Sequence, residues 1–287
     1  MNGVLVLDKP AGMSSASAVD HVRRATGADR AGHGGTLDPL ATGVLAVCLG
    51  HATKLAQYLL ADDKGYEAVG LLGVETDTLD RTGQITAERP VAVTREAMLA
   101  AIAKHLGEQE QIPPMYSAIK QDGVRLYKRA RRGEEVERPP RRIRIDRLEL
   151  LAFEPPRFRI AIACSKGTYV RSLVADLGTA VGCGANLLEL RRTQSGRFSL
   201  AQALTMSQVG QGDVAPHLVA MTAATDLPQV VVDAAFEGRI RSGVQLPIET
   251  FTTENYERFM LVGPGDELLA IVHGEDGKTV YDRVFPA

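Results

Sequence analysis

"RFRIAIACSKGTYVRSLVADLG", Arg157 to Gly178, decides how the rest of the chain is read. Phe158, Ile160, Ile162 and Cys164 recur every second residue, the period of a strand with one buried face. After a short Lys-Gly turn the period changes, and Val170, Leu173, Val174, Leu177 and Val181 follow at helical spacing. A half-buried strand leading straight into an amphipathic helix predicts a sheet with helices packed on it. Arg171 falls in the first turn of that helix, on the unfavourable side of the helix dipole, so an anionic partner would offset the mismatch.

Toward the N-terminus, "GVLVLDKP" reads as a short buried strand ended by Pro10. Ser14 or Ser15 caps a helix with Ala18, Val19, Val22 and Ala25 on one face and Gly27 as its stop. "VTREAMLAAIAKHLG" predicts a second helix, capped by Thr94, with Met98, Leu99, Ile102 and Leu106 as its apolar stripe and Gly107 past its end. Toward the C-terminus, "LPQVVVD" opens a series of short strands separated by turn signals such as "VGPGDE" and "GEDGK". A boundary is therefore expected between Ala224 and Pro228, separating residues 1–225 from residues 228–287.

The chain has 287 residues, 45% hydrophobic and 24% charged, an ordinary globular composition with room for one large core and a small second module. Its net charge of −2 hides an uneven distribution. From Lys120 to Arg147 eleven Lys and Arg stand against five Asp and Glu, whereas from Pro228 to Ala287 five stand against ten. The first segment has the electrostatic character of a phosphate-backbone footprint, with Tyr127 and prolines interleaved, although a solvated charged loop reads the same by composition. Cys48, Cys164 and Cys183 form no C-x-x-C pair, which predicts buried, reduced thiols in a cytoplasmic protein. "MNGVLVLDKPAGMSS" lacks the features of a signal peptide, and no apolar run reaches membrane-spanning length. No P-loop, G-x-G-x-x-G or H-E-x-x-H motif occurs, so a reaction without metal or cofactor is expected.

Within "AGHGGTLDPLATGVL", Gly32, Gly34 and Gly35 precede Asp38, and Pro39 disfavours helix at the aspartate. Two readings stay open: an Asx turn in which Asp38 bonds its own backbone, or a carboxylate held rigidly for chemistry. His33 reads as a loop histidine and Tyr66, near the start of a strand, as a core aromatic unless other motifs say otherwise.

They do. "DKPAGMSS", "RAGHGGTLDPLATGVL", "KGYEAVGLLGVETDTLDRTG", "QIPPMYSAIKQDGVRLYKRARRG" and "CSKGTYVRSLVADLG" with "GCGANLLELRRTQSG" resemble, in order and spacing, the TruB family of tRNA pseudouridine synthases from about Gly3 to Gly196. The resemblance implies an α+β fold, a mixed and mostly antiparallel sheet flanked by helices, with a small β-rich PUA-like module at 228–287 and a basic insertion at about 117–145. It implies isomerisation of the T-arm uridine of tRNA, position 55, with Asp38, Tyr66 and Arg171 as catalytic residues. Asp38 would act at the ribose C1′, Arg171 would pair with it, and Tyr66 would stack on the base. His33, Tyr169, Leu190 and Lys9 are the further substrate-binding candidates, His33 by filling space that flipped nucleotides vacate. Lys128, Arg129, Arg131, Arg132, Arg141 and Arg142 are the candidate RNA-binding residues. No metal, cofactor, membrane or obligatory protein partner is expected beside the tRNA, and the expected state is a monomer; a second role in refolding tRNA is compatible with the same motifs. The sequence departs from the family pattern at Gly34 and Thr36, where Thr and Ala are commoner, and at Glu67 and Leu72 in the strand after Tyr66, where a basic residue is usual.

Overall fold

A computed structural model describes residues 1–286 except 118, 122, 131 and 135, with side chains except at 120, 125, 127 and 128. In chain order its first strands are β1 (Gly3–Lys9), β2 (Ala31–His33), β3 (Thr42–Leu49), β4 (Lys64–Leu72), β5 (Val74–Thr76), β6 (Ile85–Glu88), β7 (Gly107–Gln111), β8 (Lys120–Gln121) and β9 (Val124–Arg125). They are followed by β10 (Arg141–Glu154), β11 (Arg157–Cys164), β12 (Ala185–Ser195), β13 (Phe198–Ser199) and β14 (Leu204–Thr205). The helices among them are α1 (Ser15–Thr26), α2 (Ala56–Leu59), α3 (Arg95–Lys104), α4 (Leu126–Ala130), α5 (Val170–Ala180) and α6 (Met206–Gln211).

Ten strands form one sheet in the order β14-β1-β3-β12-β4-β11-β10-β7, with β2 added to β3 and β13 to β12. The β1–β14 and β3–β12 pairs are parallel and the other pairs antiparallel, so the expected mixed, mostly antiparallel sheet is present. β3 and β12 approach so closely that a Cβ at Gly43 (φ 101°) would lie 2.1 Å from the Arg192 carbonyl oxygen, which makes glycine obligatory there.

The strand patterns account for the layers. On one face Leu5, Leu7, Leu45 and Val47 meet Ala18 and Val22 of α1, Met98 and Ile102 of α3, and Leu173 and Leu177 of α5 in one core. The intervening residues Val4, Val6, Val44 and Ala46 turn to the other face and pack on Met260, Val262, Leu268, Ile271 and Phe285 of the C-terminal region. β1 and β3 are covered on both sides and therefore read as unbroken apolar runs, whereas β11 alternates because its second face is more open. The C-terminal region forms its own sheet, β15 (Gln229–Val231), β16 (Phe259–Val262), β17 (Leu268–Glu275) and β18 (Lys278–Val284), with α7 (Ala234–Arg241) completing a further core around Phe259, Leu261 and Ile240.

Two helix readings need correction. α1 has the expected Ser14 cap and a left-handed Gly27 after its end, but Ala25 is exposed, because the core-facing stripe closes with Val22. α3 begins after Thr94 as expected yet ends at Lys104, and its buried stripe is Met98, Ala101 and Ile102. Leu99 and Leu106 are exposed, and Gly107 opens β7, whose pairing with β10 claims the backbone that would have extended the helix. All three cysteines are free and buried, as expected.

Candidate active site

The Ser165–Thr168 turn that follows β11 and the start of α5 form one wall of a cleft of about 340 Å³; the loop Gly35–Asp38 forms another, and β4 and β12 supply the floor with Lys64, Tyr66, Leu190 and Arg192. Tyr169, Arg171, Ser117 and Leu60 also line it.

The loop carrying Asp38 is pinned from three directions. Leu37 N–H donates to Ser15 Oγ at 2.8 Å while that hydroxyl donates to Leu37 O at 2.9 Å, tying the loop to the first turn of α1. Gly34 N–H donates to Ala46 O at 3.0 Å and Gly12 N–H to Pro39 O at 2.8 Å. At Gly34 an added Cβ would sit 2.5 Å from Leu59 Cβ, so the larger residue common in the family would not fit against this α2 without movement. Of the two readings left open by the sequence, the Asx turn is not what the carboxylate does: Asp38 Oδ2 lies 2.9 Å from Arg171 Nε in an ion pair.

Arg171 is 3% exposed and spread over several partners. Its Nη1 donates to Thr78 O at 2.9 Å and its Nη2 to Tyr116 O at 2.7 Å. Asp80 Oδ2 stands 3.7 Å from Nη1. The helix start that carries it is fixed by Gln111 at the end of β7, which accepts from Tyr169 N–H at 2.8 Å and donates to Tyr169 O at 3.1 Å. The arginine that the helix dipole disfavours thus has a carboxylate on each side.

Burial pushes the Asp38 carboxyl above the usual carboxylate range, and Asp80 adds to this, while Arg171 and Lys9 pull it back. Burial likewise pushes the Tyr66 and Tyr169 phenols up. Lys9, fully buried, donates from Nζ to Pro10 O at 2.8 Å and Met13 O at 2.9 Å, and burial lowers its pKa to about 8. It feels Asp38 electrostatically without lining the cleft.

Asp38, Tyr66, Tyr169, Arg171 and Leu190 are therefore brought together in one cleft. His33 stands at the end of β2, half-buried, with Gly35 N–H donating to its Nδ1 at 3.4 Å. Arg141 and Arg142 are exposed at the start of β10, opposite Gln111 and Glu110 of β7, on a paired strand of the main sheet rather than a loop. Arg132 is exposed 3.7 Å from Glu134, and Arg129 Nη2 donates to Gln121 O at 3.3 Å. Arg131 and the Lys128 side chain lie outside the described residues.

Two cleft residues, Lys64 and Arg192, and one carboxylate behind Arg171, Asp80, were missed by the sequence reading. Asp80 is 4% exposed; its Oδ1 accepts from Thr78 Oγ1 at 2.9 Å, Thr82 N–H at 2.9 Å and Thr82 Oγ1 at 2.5 Å. Lys64 donates from Nζ to Leu59 O at 3.2 Å and Asp62 O at 2.5 Å, and burial lowers its pKa to about 8. Arg192 is 1% exposed. The strand period offered a signal for it: once Leu190 is in the pocket, Arg192 must face the same way, and Arg191 must not. Arg191 indeed turns to the other face, where Nη2 meets Asp8 Oδ2 at 2.8 Å.

A fixed carboxylate with an arginine behind it, beside two aromatic rings, can stabilise positive character at a carbon of a flat substrate. Among the described residues the cleft lining holds no histidine beside its Ser and Thr hydroxyls, so no Ser–His or Thr–His nucleophile pair is built there. The class so defined is an enzyme whose chemistry turns on a held carboxylate.

Sequence relatives narrow that class. Residues 23–170 match the TruB family pseudouridylate synthase N-terminal domain, and residues 171–217 match the tRNA pseudouridylate synthase B C-terminal domain. The chain belongs to the TruB family of pseudouridylate synthases. It is 57% identical over 206 residues to a protein named tRNA pseudouridine synthase B from Pseudomonas aeruginosa (strain UCBPP-PA14), covering 72% of this chain and 68% of that one. A protein of the same name from Stutzerimonas stutzeri (strain A1501) is 55% identical over 206 residues, covering the same shares of 72% and 68%. In structure the chain is similar to one in a crystal structure of a Cbf5-Nop10-Gar1 complex, with a TM-score of 0.78 and 26% identity over 99% of this chain and 85% of that one. Among the described residues no helix is long and apolar enough to cross a membrane.

Proposed function

We propose that this chain is a cytoplasmic tRNA pseudouridine synthase that isomerises the T-arm uridine at position 55, with Asp38 as the group that acts on the ribose. The observation that carries this reading is the Asp38–Arg171 ion pair at 2.9 Å in a cleft floored by Tyr66 and Leu190. The C1′–N1 bond breaks, the uracil turns within the cleft, C5 bonds to C1′, the C5 proton leaves and N1 takes up a proton. Bond breaking builds positive character at C1′, and the Asp38 carboxylate stabilises it either by attack or by charge. Arg171 holds that carboxylate in its ionised form and in one orientation.

Tyr66 and Tyr169 supply aromatic faces for the uracil, and Leu190 an apolar edge. A stacked base cannot present C1′ to a carboxylate inside a cleft, so the nucleotide is flipped out of its stack before reaction. The exposed arginines Arg132, Arg141 and Arg142 meet the RNA backbone, and the enzyme acts as a monomer on tRNA alone. The C-terminal sheet acts as a PUA-like module against the same RNA.

Tritium release from a tRNA transcript labelled at uridine C5 tests the reading. The expected result is release at the T-arm uridine by the wild type and none by Asp38→Asn. Free uracil as the product would instead mean glycosidic hydrolysis, and no release by the wild type would overturn the isomerase reading. Because the Asp38 carboxyl is held above the ordinary aspartate range, the rate should fall on acidification from a higher pH than an exposed aspartate would give.

A further inference from the structure

Arg192 heads the fully buried side chains of the described residues by volume, yet it has no carboxylate at ion-pair distance among them. Its hydrogen bonds go to neutral carbonyls: Nε donates to Val44 O at 2.6 Å, Nη1 to Thr36 O at 3.4 Å and Nη2 to Gly35 O at 3.2 Å. A buried cation without a counterion is expensive, and an apolar residue of similar volume would ordinarily serve a core better. Two features place the charge in the chemistry. Gly35 and Thr36 are the residues leading into Asp38, and on the sheet Arg192 is the direct cross-strand partner of Tyr66, both lining the cleft. Gly35, with φ 136°, brings its backbone close enough that an added Cβ would lie 3.5 Å from Nη1.

We propose that Arg192 is a positioning residue for the isomerisation, fixing the loop that carries Asp38 and the ring of Tyr66 in one rigid arrangement through a single guanidinium. This rests on the isomerase reading above. The planar fork reaches loop and strand at once, which a lysine ammonium at the same place cannot do. Burial raises the Tyr66 phenol and the guanidinium pulls it back, so the two groups are coupled in charge as well as in place. Asp38 and Cys164 also act on that phenol, and Lys64 lines the same cleft.

The test uses the full chain in two variants, Arg192→Met and Arg192→Lys, with a T-arm hairpin RNA. Single-turnover rates should fall by about a hundredfold in Arg192→Met and about tenfold in Arg192→Lys, the scale of a misplaced reacting group, with RNA affinity within about threefold of wild type. In parallel, the ring-carbon Cζ resonance of Tyr66, assigned with Tyr66→Phe, is followed through an alkaline titration. Arg192→Met should move the Tyr66 ionisation to higher pH, and Arg192→Lys should hold it near the wild-type position. A purely structural staple would leave that ionisation in place. Rates within about twofold of wild type in both variants would overturn the proposal, as would an unmoved Tyr66 titration in Arg192→Met. If Arg192→Met fails to fold, Arg192→Lys decides by its rate. The resonance needs no turnover, so a wild type without isomerase activity would sink the isomerase reading while the titration separately judged the link between Arg192 and Tyr66.

Discussion

Arg171 and Arg142 carry the same guanidinium into opposite surroundings. Arg171 is 3% exposed, wedged between Asp38 and Asp80 with two backbone carbonyls on its remaining donors. Arg142 stands in solvent on β10 across from Glu110. In the cleft the charge is held in place by its partners, whereas on the strand it is open to solvent and, under the proposed function, to a phosphate. Removing the first should damage structure and chemistry together, and removing the second should touch only RNA affinity.

The sharpest way to break that contrast is at the carboxylate. Asp38→Asn keeps the shape of the side chain and should lower turnover by about four orders of magnitude or more, the scale seen when a nucleophile is removed. RNA affinity should change by no more than about tenfold, or about 1.4 kcal/mol, because the arginines proposed to meet the RNA lie outside the cleft. Single-turnover kinetics beside a filter-binding titration check both numbers. Weak binding with a normal chemical step would place Asp38 with the outer arginines instead.

Arg171→Met should be the costliest change for stability. It leaves Asp80 and Asp38 without their cation, and breaking a buried pair from one side typically costs about 3–5 kcal/mol. Urea unfolding measures this, and an unchanged midpoint would mean that the cleft charges are solvated after all. On the outer strand, reversing Arg132, Arg141 and Arg142 to glutamate should leave that midpoint alone. It should flatten the salt dependence of tRNA binding by about 0.7–0.9 for each phosphate that the protein ceases to neutralise. An unchanged slope would put the RNA on another face.

The same two regions show what was readable in the chain. The strand-to-helix switch at Arg157–Gly178 and the unsatisfied Arg171 could be read from period and dipole alone, and the ordered motifs supplied Asp38 as its partner. Arg141 and Arg142 stood out by charge, but composition carries no information about pairing, so their place on a strand of the main sheet came only with the fold. Asp80, Lys64 and Arg192 were missed for a different reason. A single acid or base within a varied segment looks solvated until topology buries it, and β12 meets both β3 and β4 only through the sheet order. The α3 stripe failed at Leu99 because the core face runs through Met98, Ala101 and Ile102, where a small alanine hides among larger apolar neighbours, and at Leu106 because helical spacing does not say where the helix stops, which the pairing of β7 with β10 decides.

Lys9 and Lys64 extend the comparison to pH, with the smallest expected effect. Burial lowers both from the ordinary 10.5 to about 8, against Asp38 in one case and Asp62 in the other. Each therefore binds its proton more weakly in the folded chain than in the unfolded one. Between pH 8 and 10.5 the unfolded chain holds more protons, so these two groups make stability rise with pH across that window. Arginine side chains stay charged throughout that window and contribute no slope. Lys9→Met and Lys64→Met should each flatten the rise in a series of urea midpoints taken at increasing pH, and the double variant should flatten it further. If stability fell steadily through that window and the double variant left the fall unchanged, the two ammonium groups would be as well solvated as the exposed charges of β10, and the cleft would differ from the outer strand by geometry alone.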